Sequence, residues 1–248
     1  DMIVKVKEPQ EIEWKMLKEN QIIFTYLHLA ADPNQAKGLI DSKCHAVAYE
    51  TITDQKGGLP LLAPMSEIAG RLAVFEGAYH LKKTCGGPGS LISGVPGVNP
   101  AKVIILGGGM VGTNAAKMAI GVGADVTIFD KSIERLRYLD DIFGNTAKVL
   151  YSEPVELKNL LKDADLVVGA VLIPGASAPK LIEKEFLSKM KKNSVLVDVA
   201  IDQGGCFETS KPTTHKNPTY YEEGILHYCV ANMPCLLYTS PSPRDKSS

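Results

Sequence analysis

Three polar side chains stand at positions where protons could be transferred. Lys7 closes a β-rich run in which lysines and valines alternate, His28 follows an aromatic-rich run, and Asp202 follows an apolar one. An ammonium group, an imidazole and a carboxylate at the carboxyl ends of strands can bind an anion and move protons during hydride transfer. Each also has an ordinary interpretation: Lys7 could protect a strand edge, His28 could be surface or core filling, and Asp202 could be a turn residue.

A glycine-rich turn predicts a dinucleotide-binding site. Residues 107–112 read GGGMVG, which fits G-x-G-x-x-G, after an apolar strand and at the start of a helical pattern. Asp130 ends the next apolar run, near the spacing of about 20 residues expected for the acidic residue that binds ribose hydroxyls. The alternative is an ordinary strand–helix turn followed by a solvated aspartate at a strand end.

Each position of the motif has a physical role. Gly107 permits the tight turn, Gly109 lets the backbone approach a pyrophosphate, and Gly112 lets the helix pack closely on the strand. The amides around Met110 and Val111 would then point at phosphate from a helix N-terminus. The charge of Asp130 would repel a 2′-phosphate, which favours NAD over NADP. These residues alone indicate an NAD-dependent oxidoreductase of unknown substrate.

The elements that must position these residues follow from periodicity. Short β-rich runs predict strands over residues 3–7, 22–27 and 46–50. Ser66 as an N-cap, followed by apolar residues on one helical face, predicts a long helix over about 66–82. A loop rich in Gly and Pro follows over 86–100 and marks a boundary.

From residue 102 onward, β and α patterns alternate regularly. Continuous apolar runs predict strands covered on both faces, and hence a Rossmann-type doubly wound parallel sheet in an α/β protein. The predicted strands are 103–106, 126–129, 148–151, 166–172, 195–199 and 225–230. The predicted helices are 110–121, 133–143 and 155–161.

Composition excludes several classes of protein. The chain has 248 residues, of which 45% are hydrophobic and 22% charged, with 27 Lys and Arg against 28 Asp and Glu. This is the composition of a globular protein, and the net charge of −1 argues against a general nucleic-acid binder. No apolar run approaches the roughly 18 residues of a membrane helix. Five scattered cysteines and five histidines show no metal-ligand spacing, so we expect no metal, no disulfide framework and a cytoplasmic location.

Beyond these patterns, the sequence closely resembles the alanine dehydrogenase family, within a wider group that includes the proton-translocating transhydrogenase and saccharopine dehydrogenase. The matching stretches are VKVKEP at 4–9, FTYLHLAA at 24–31, AYET at 48–51, LPLLAPMSEIAGRL at 59–72, GVPG at 94–97, GAVLIPGASAP at 169–179, VDVAIDQGGCFE at 197–208, KPTT at 211–214 and YCVANMP at 228–234.

The resemblance implies reversible, NAD-dependent oxidative deamination of L-alanine to pyruvate and ammonium. The family's substrate-binding lysine matches Lys7, its catalytic histidine matches His28, and its catalytic aspartate matches Asp202. It also implies a homohexamer. The family's NAD-contact positions fall on Ser66, Arg135, Ser152, Val171, Leu172, Val199, Ala200, Ile201, Asp202, Val230, Ala231, Asn232 and Met233.

The resemblance also implies a division of the chain. We expect part of a second α/β substrate domain over 1–62, a Rossmann NAD domain over 63–234, and a disordered or artefactual tail over 235–248, for which a native linker is the alternative. Family members begin upstream of Asp1, with an arginine for the substrate carboxylate, and continue beyond Pro234. We therefore expect a fragment that binds NAD yet catalyses poorly.

Three alternatives stay open, two among related oxidoreductases and one in a different class of protein. A transhydrogenase would exchange hydride between cofactors without an amino-acid site, but it would not be expected to carry a histidine at position 28. Saccharopine dehydrogenase keeps a lysine and a histidine, but it lacks close matches to APMSEIAGRL and AIDQGGCFE. A binding-only protein that holds NAD without turnover is the alternative from a different class.

Overall fold

Residues 1–62 build a small parallel sheet with helices beside it. The computed structural model describes residues 1–29, 32–55, 57–173 and 177–236. The strands pair in the order β1-β2-β3, and β2 lies at the centre. Helix α2 is well capped, because the Asp32 carboxylate accepts the amides of Asn34 and Gln35. The elements are β1 (Met2–Val4), α1 (Glu11–Trp14), β2 (Ile22–Thr25), α2 (Pro33–Ser42) and β3 (His45–Ala48).

The first predicted strand is wrong at its carboxyl end. Strand β1 stops at Val4 instead of continuing to Lys7, and the chain bends before Pro9. The Lys5 amide makes one more bond to the Phe24 carbonyl, and then the Thr25 hydroxyl donates to the Lys7 carbonyl instead of a ladder amide. Lys7 therefore lies in a bend beyond the strand.

Helix α3 (Ala63–His80) joins the small sheet to the rest of the chain. The prediction that Ser66 is its N-cap is wrong, because the helix begins at Ala63 and the Ser66 amide already donates to the Leu62 carbonyl. Pro64 fits the first turn, where a missing amide costs no helical hydrogen bond. Small residues such as Gly70 let α3 approach the next helix: a Cβ there would lie 2.2 Å from the Val111 carbonyl oxygen.

A seven-stranded sheet forms the larger part of the described residues. Its order is β6-β5-β4-β7-β8-β10-β9, with six parallel strands and β9 antiparallel at one edge. The predicted Rossmann-type doubly wound sheet is confirmed. The strands are β4 (Lys102–Leu106), β5 (Asp125–Asp130), β6 (Lys148–Tyr151), β7 (Leu166–Gly169), β8 (Val195–Asp198), β9 (Thr219–Glu222) and β10 (Ile225–Tyr228). The helices are α4 (Met110–Gly121), α5 (Ile133–Phe143), α6 (Pro154–Leu161) and α7 (Lys184–Leu187).

Both faces of this sheet are buried, as the continuous apolar runs predict. In β4, Val103 and Ile105 pack in a cluster that contains residues of α3, α4 and α5, whereas Ile104 and Leu106 pack in a second cluster with residues of α6 and α7. All four side chains are at most 3% exposed. Burial of each contributes about 1.5–3 kcal/mol relative to exposure.

Several strands end earlier than predicted, which matters for the site. Strand β7 ends at Gly169 and β10 at Tyr228, so Val171, Leu172 and Val230 lie in loops at the carboxyl edge of the sheet. Strand β9 and helices α1, α2 and α7 were not predicted. The expected tail over 235–248 falls almost wholly outside the described residues.

In the part of the chain that the structure describes, no helix has both the length and the apolar character needed to cross a bilayer.

Candidate functional site

A cleft of about 710 Å³ lies where loops from the two sheets meet. The small sheet contributes the bend after β1 and the segment after β2, and the large sheet contributes the loops after β7, β8 and β10. The residues singled out from the sequence that line it are Lys7, His28, Ser66, Val111, Leu172, Val199, Ala200, Ile201, Asp202, Val230, Ala231, Asn232 and Met233. Those that do not line it are Gly107, Gly109, Met110, Gly112, Asp130, Arg135, Ser152 and Val171.

Lys7 and His28 meet at a carboxylate that sequence reasoning missed. Glu8 places Oε1 3.4 Å from His28 Nε2 and Oε2 4.0 Å from the Lys7 ammonium. The imidazole also stacks on the Tyr26 ring, with centroids 5.6 Å apart and planes 3° from parallel. His28 is three-quarters buried while the Lys7 side chain is 55% exposed, so Lys7 can reach a ligand in the cleft.

The backbone of His28 is held by a second carboxylate that sequence reasoning also missed. His28 has a φ of +46°, in the left-handed region that non-glycine residues rarely adopt. Glu50 Oε1 accepts the consecutive amides of Leu27 at 3.0 Å and His28 at 2.9 Å. The side-chain nitrogen Nε2 of Gln35 donates to the Leu27 carbonyl. Glu50 is buried, and its Oε2 has no hydrogen-bond partner among the described residues.

Asp202 reaches the same cleft from the 3-10 turn Val199–Gln203, directly after β8. Its two carboxylate oxygens accept the Asn232 amide at 3.1 and 3.2 Å, which ties this turn to the loop after β10. Burial raises the pKa of the Asp202 carboxyl, and the negative charge of Glu8 acts in the same direction. The positive charges of His28 and Lys7 and the Asn232 amide oppose this rise in pKa. The four side chains thus form one electrostatic cluster.

The glycine turn satisfies the steric demands of a dinucleotide site. Gly107 has a φ of +100°, and a Cβ on Gly112 would lie 1.8 Å from the Gly107 carbonyl oxygen. A Cβ on Gly109 would meet nothing within 4 Å, so open space faces this backbone at the start of α4. Val111, in the first turn of α4, lines the cleft, so the turn and the cleft are adjacent. The residues present fit a pyrophosphate at this turn.

Asp130 lies beside the turn, and each of its carboxylate oxygens accepts one backbone amide. Its Oδ2 accepts the Gly108 amide at 2.7 Å, and its Oδ1 accepts the Ser132 amide at 2.8 Å. A carboxylate offers about four lone-pair sites, so each oxygen can accept a further hydroxyl. Arg135 closes the other side of the turn by donating to the Gly108 carbonyl and, at 2.7 Å, to the Thr113 hydroxyl. The Ser152 amide donates to the Asp130 carbonyl, which places Ser152 at the same edge.

A local signal could have found both missed carboxylates. Glu8 directly follows Lys7, and Glu50 closes the predicted strand 46–50, so the strand-end criterion that selected His28 and Asp202 also selects Glu50. Among the described residues, no group of three or more His, Cys, Asp or Glu side chains is arranged to hold a metal ion.

The sheet order, the glycine turn and the cleft define a Rossmann-type nucleotide-binding protein with a second α/β part beside its site. Residues 73–242 match the family described as "Alanine dehydrogenase/PNT, C-terminal domain", and residues 1–69 match "Alanine dehydrogenase/PNT, N-terminal domain". The chain belongs to this alanine dehydrogenase/PNT family. Membership implies a nicotinamide cofactor.

Curated relatives and solved structures agree with this assignment. The chain is 59% identical to an alanine dehydrogenase of Halomonas elongata over 234 residues, and 56% identical to one of Methanococcus maripaludis over 235 residues. Each alignment covers 94% of this chain but 63% of the relative, so the chain spans less than two thirds of their length.

Among solved structures, an L-alanine dehydrogenase superposes with a TM-score of 0.84 at 52% identity, covering 94% of this chain and 64% of that one. A transhydrogenase from Sinorhizobium meliloti superposes with a TM-score of 0.76 at 22% identity, covering 94% and 68%, and shares the fold.

Proposed function

We propose that this protein catalyses the reversible NAD-dependent oxidative deamination of L-alanine to pyruvate and ammonium. The observation that carries the proposal is the meeting of Lys7, His28 and Asp202 in one cleft beside the glycine turn. The identity of 52–59% to proteins named alanine dehydrogenase supports the choice of substrate. The homohexamer implied by the family resemblance stays a prediction.

The division of labour follows from charge and burial. The exposed Lys7 ammonium would bind the substrate carboxylate or carbonyl oxygen by charge and hydrogen bonding. His28 would donate an N–H hydrogen bond that polarises the carbonyl oxygen and would move a proton to or from that oxygen. Asp202, whose pKa is raised by burial, would exchange protons with water and the carbinolamine. The nicotinamide supplies hydride acceptance and donation when it is bound.

The NAD contacts are also proposed residue by residue. The pyrophosphate would lie against the Gly109 backbone and the amides of Met110 and Val111, in the turn that Gly107 and Gly112 shape. Asp130 would hold a ribose diol, with Arg135 and Ser152 beside it. Residues in the loops after β7, β8 and β10 would surround the nicotinamide. They are the cleft residues Leu172, Val199, Ala200, Ile201, Val230, Ala231, Asn232 and Met233, together with Val171 beside the cleft. Ser66 would reach the cofactor from α3.

The test of activity is the absorbance of NADH in both directions. Alanine plus NAD should produce NADH, and pyruvate plus ammonium should consume it. His28→Ala should lower turnover by about a hundredfold or more, while NADH affinity changes little. No turnover in either direction by the unaltered chain, with NADH still bound, would favour the second candidate, NAD binding without turnover. The coverage of 63% of the relatives' length motivates this candidate.

The choice of NAD over NADP has its own test. Asp130→Ala should raise the NADP to NAD affinity ratio about tenfold, equivalent to roughly 1.4 kcal/mol of removed repulsion. Asp130 also accepts two backbone amides, so its removal could disturb the turn. Asp130→Asn removes the charge but keeps one acceptor oxygen, and it should raise the affinity ratio as well. An unchanged ratio in both variants would show that Asp130 does not select the cofactor.

A further inference from the structure

Asp198 binds the loop that carries Asp202 through hydrogen bonds, and it does not itself line the cleft. Asp198 ends β8 and has no exposed surface. Its Oδ1 accepts the Ala200 amide at 3.0 Å and its Oδ2 accepts the Cys206 amide at 2.8 Å. The Ser210 hydroxyl also donates to Oδ2. One buried carboxylate therefore binds both the beginning and the end of the segment 199–206.

Burial makes a charge on this carboxyl group costly, and its hydrogen-bond partners offset that cost only in part. Burial raises the pKa of Asp198, whereas the Ser210 hydroxyl and the amides of Cys206 and Phe207 oppose that rise. A buried charge persists only where several donors compensate its desolvation. The donors that stabilise Asp198 are therefore the same groups that fix the shape of the loop.

Lys180 fastens the same loop from the solvent side. Its ammonium donates to the carbonyl oxygen of Gly204 at 2.6 Å and of Gly205 at 2.8 Å. Both glycines have left-handed φ values, +86° and +74°. The Ala178 amide also donates to the Gln203 carbonyl at 3.0 Å, so the segment that bears Lys180 runs alongside the loop.

We propose that Asp198 and Lys180 are positioning residues for Asp202: a buried carboxyl group binds the amides of the loop while an exposed ammonium group binds its carbonyls. The inference rests on the proposed function, in which Asp202 moves protons. Asp202 lies inside the segment 199–206, so the shape of that segment sets where its carboxylate lies. The carboxylate accepts the Asn232 amide only while the segment keeps this shape. Displacement of a reacting group by about 1 Å can cost up to a hundredfold in rate.

The experiment compares Lys180→Met, Lys180→Arg and the control Lys192→Met in the full chain. Lys192 is exposed, and its side chain makes no hydrogen bond or ion pair recorded within the described residues. We expect Lys180→Met to lower kcat for pyruvate and ammonium about five- to tenfold, because the loop loses the two hydrogen bonds that the Lys180 ammonium donates and Asp202 is held less precisely. NADH affinity should fall less than kcat, because the glycine turn and Asp130 are untouched and only the proposed nicotinamide contacts of Val199, Ala200 and Ile201 lie in this loop. Lys180→Arg should restore most of kcat, since it keeps a donor cation at the same place.

Amide hydrogen exchange over residues 199–206 is the readout that does not depend on turnover. Exchange there should accelerate in Lys180→Met and not in Lys192→Met, while exchange in β4 and β5 stays unchanged. Asp198→Asn should have a larger effect on the same amides, and where it fails to fold the lysine variants decide.

The outcomes separate the two proposals. Values of kcat and of exchange in Lys180→Met within about twofold of Lys192→Met would overturn the positioning role. If the unaltered chain shows no turnover, the proposed function fails, and the exchange of 199–206 alone decides whether Lys180 holds this loop.

Discussion

At the residue scale, the position of His28 depends on a group far from it in the chain. Its amide and that of Leu27 both donate to Glu50, and this pairing holds a left-handed backbone that histidine does not favour. A single carboxylate thus offsets the conformational cost and directs the imidazole toward Glu8 and the cleft. We expect Glu50 to matter for stability and for turnover together.

Replacement of Glu50 tests this dependence. Glu50→Ala would leave two amides without their acceptor, and we expect a loss of about 2–4 kcal/mol in the free energy of unfolding. Turnover should fall more than NADH affinity, because His28 moves while the glycine turn does not. Chemical denaturation provides the measurement, and Glu19→Ala, at an exposed carboxylate 4.0 Å from Lys43, is the control expected within about 0.5 kcal/mol. Equal stability of the two variants would contradict the role of Glu50.

The raised pKa of Asp202 predicts a dependence of stability on pH. Because burial raises this pKa above the unfolded value of about 3.9, the native state binds the proton more tightly, and stability falls as pH rises from the unfolded pKa to the folded one. The charged carboxylate therefore costs stability at neutral pH and not in acid. Asp202→Asn should be stabilised relative to the unaltered chain near pH 7.5, and this gain should shrink toward about pH 4.

Urea unfolding at the two pH values measures this difference. Asp141→Asn, at an exposed position on α5, serves as the control and should show no such change with pH. A gain for Asp202→Asn that is the same at both pH values would show that its carboxyl is not perturbed.

At the element scale, the turn between β4 and α4 separates two uses of glycine. Gly112 is required by packing, since its Cβ would overlap the Gly107 carbonyl, whereas Gly109 faces open space and has an ordinary φ of −65°. The fold itself therefore tolerates a side chain at Gly109. Only a ligand that approaches this backbone would exclude one.

Gly109→Ala should consequently leave the fold intact and weaken NADH binding. We expect NADH affinity to fall about tenfold or more, because a methyl group occupies the approach to the helix N-terminus. Gly121→Ala, at the other end of α4, also meets nothing within 4 Å and is the matched control. It should add about 0.5–1 kcal/mol of stability without changing affinity. NADH fluorescence titration and thermal unfolding measure both quantities, and an unchanged affinity in Gly109→Ala would argue against pyrophosphate at this turn.

At the scale of the whole molecule, the cleft draws its lining from both sheets. Lys7 and His28 come from the small sheet, and Asp202 and Asn232 come from loops of the large one. A ligand seated there should therefore stabilise the folded chain as a unit, because it binds the native arrangement and not the unfolded chain.

A thermal shift measures this linkage. NADH at about 100 times its Kd should contribute about 2.7 kcal/mol, which corresponds to a rise in Tm of roughly 5–10 °C for a chain of this size. Gly109→Ala at the same NADH concentration is the control and should show about half of this rise or less, because NADH is then at about 10 times its Kd or below. Equal shifts in the two proteins would place the NADH site elsewhere.

Local sequence patterns were sufficient to predict the features that depend on neighbours along the chain. Continuous apolar runs fixed a sheet covered on both faces, the three glycines fixed the turn between β4 and α4, and the bounds of α4 and α5 matched the prediction. The same local reasoning placed His28 and Asp202 just beyond strand ends. These features were predictable because backbone conformation and burial period are set over a few residues.

Contacts between groups distant in the chain could not be predicted in this way and follow from the folded arrangement. It brought Glu8 against His28, gave Glu50 the amides of residues 27 and 28, and set Asp198 and Lys180 on either side of the Asp202 loop. It also ended β1 at Val4 and began α3 at Ala63, because partners elsewhere in the fold compete with local preference. Such pairings depend on how the two sheets pack against each other. The position of a charged residue in the sequence does not specify which distant group it will contact.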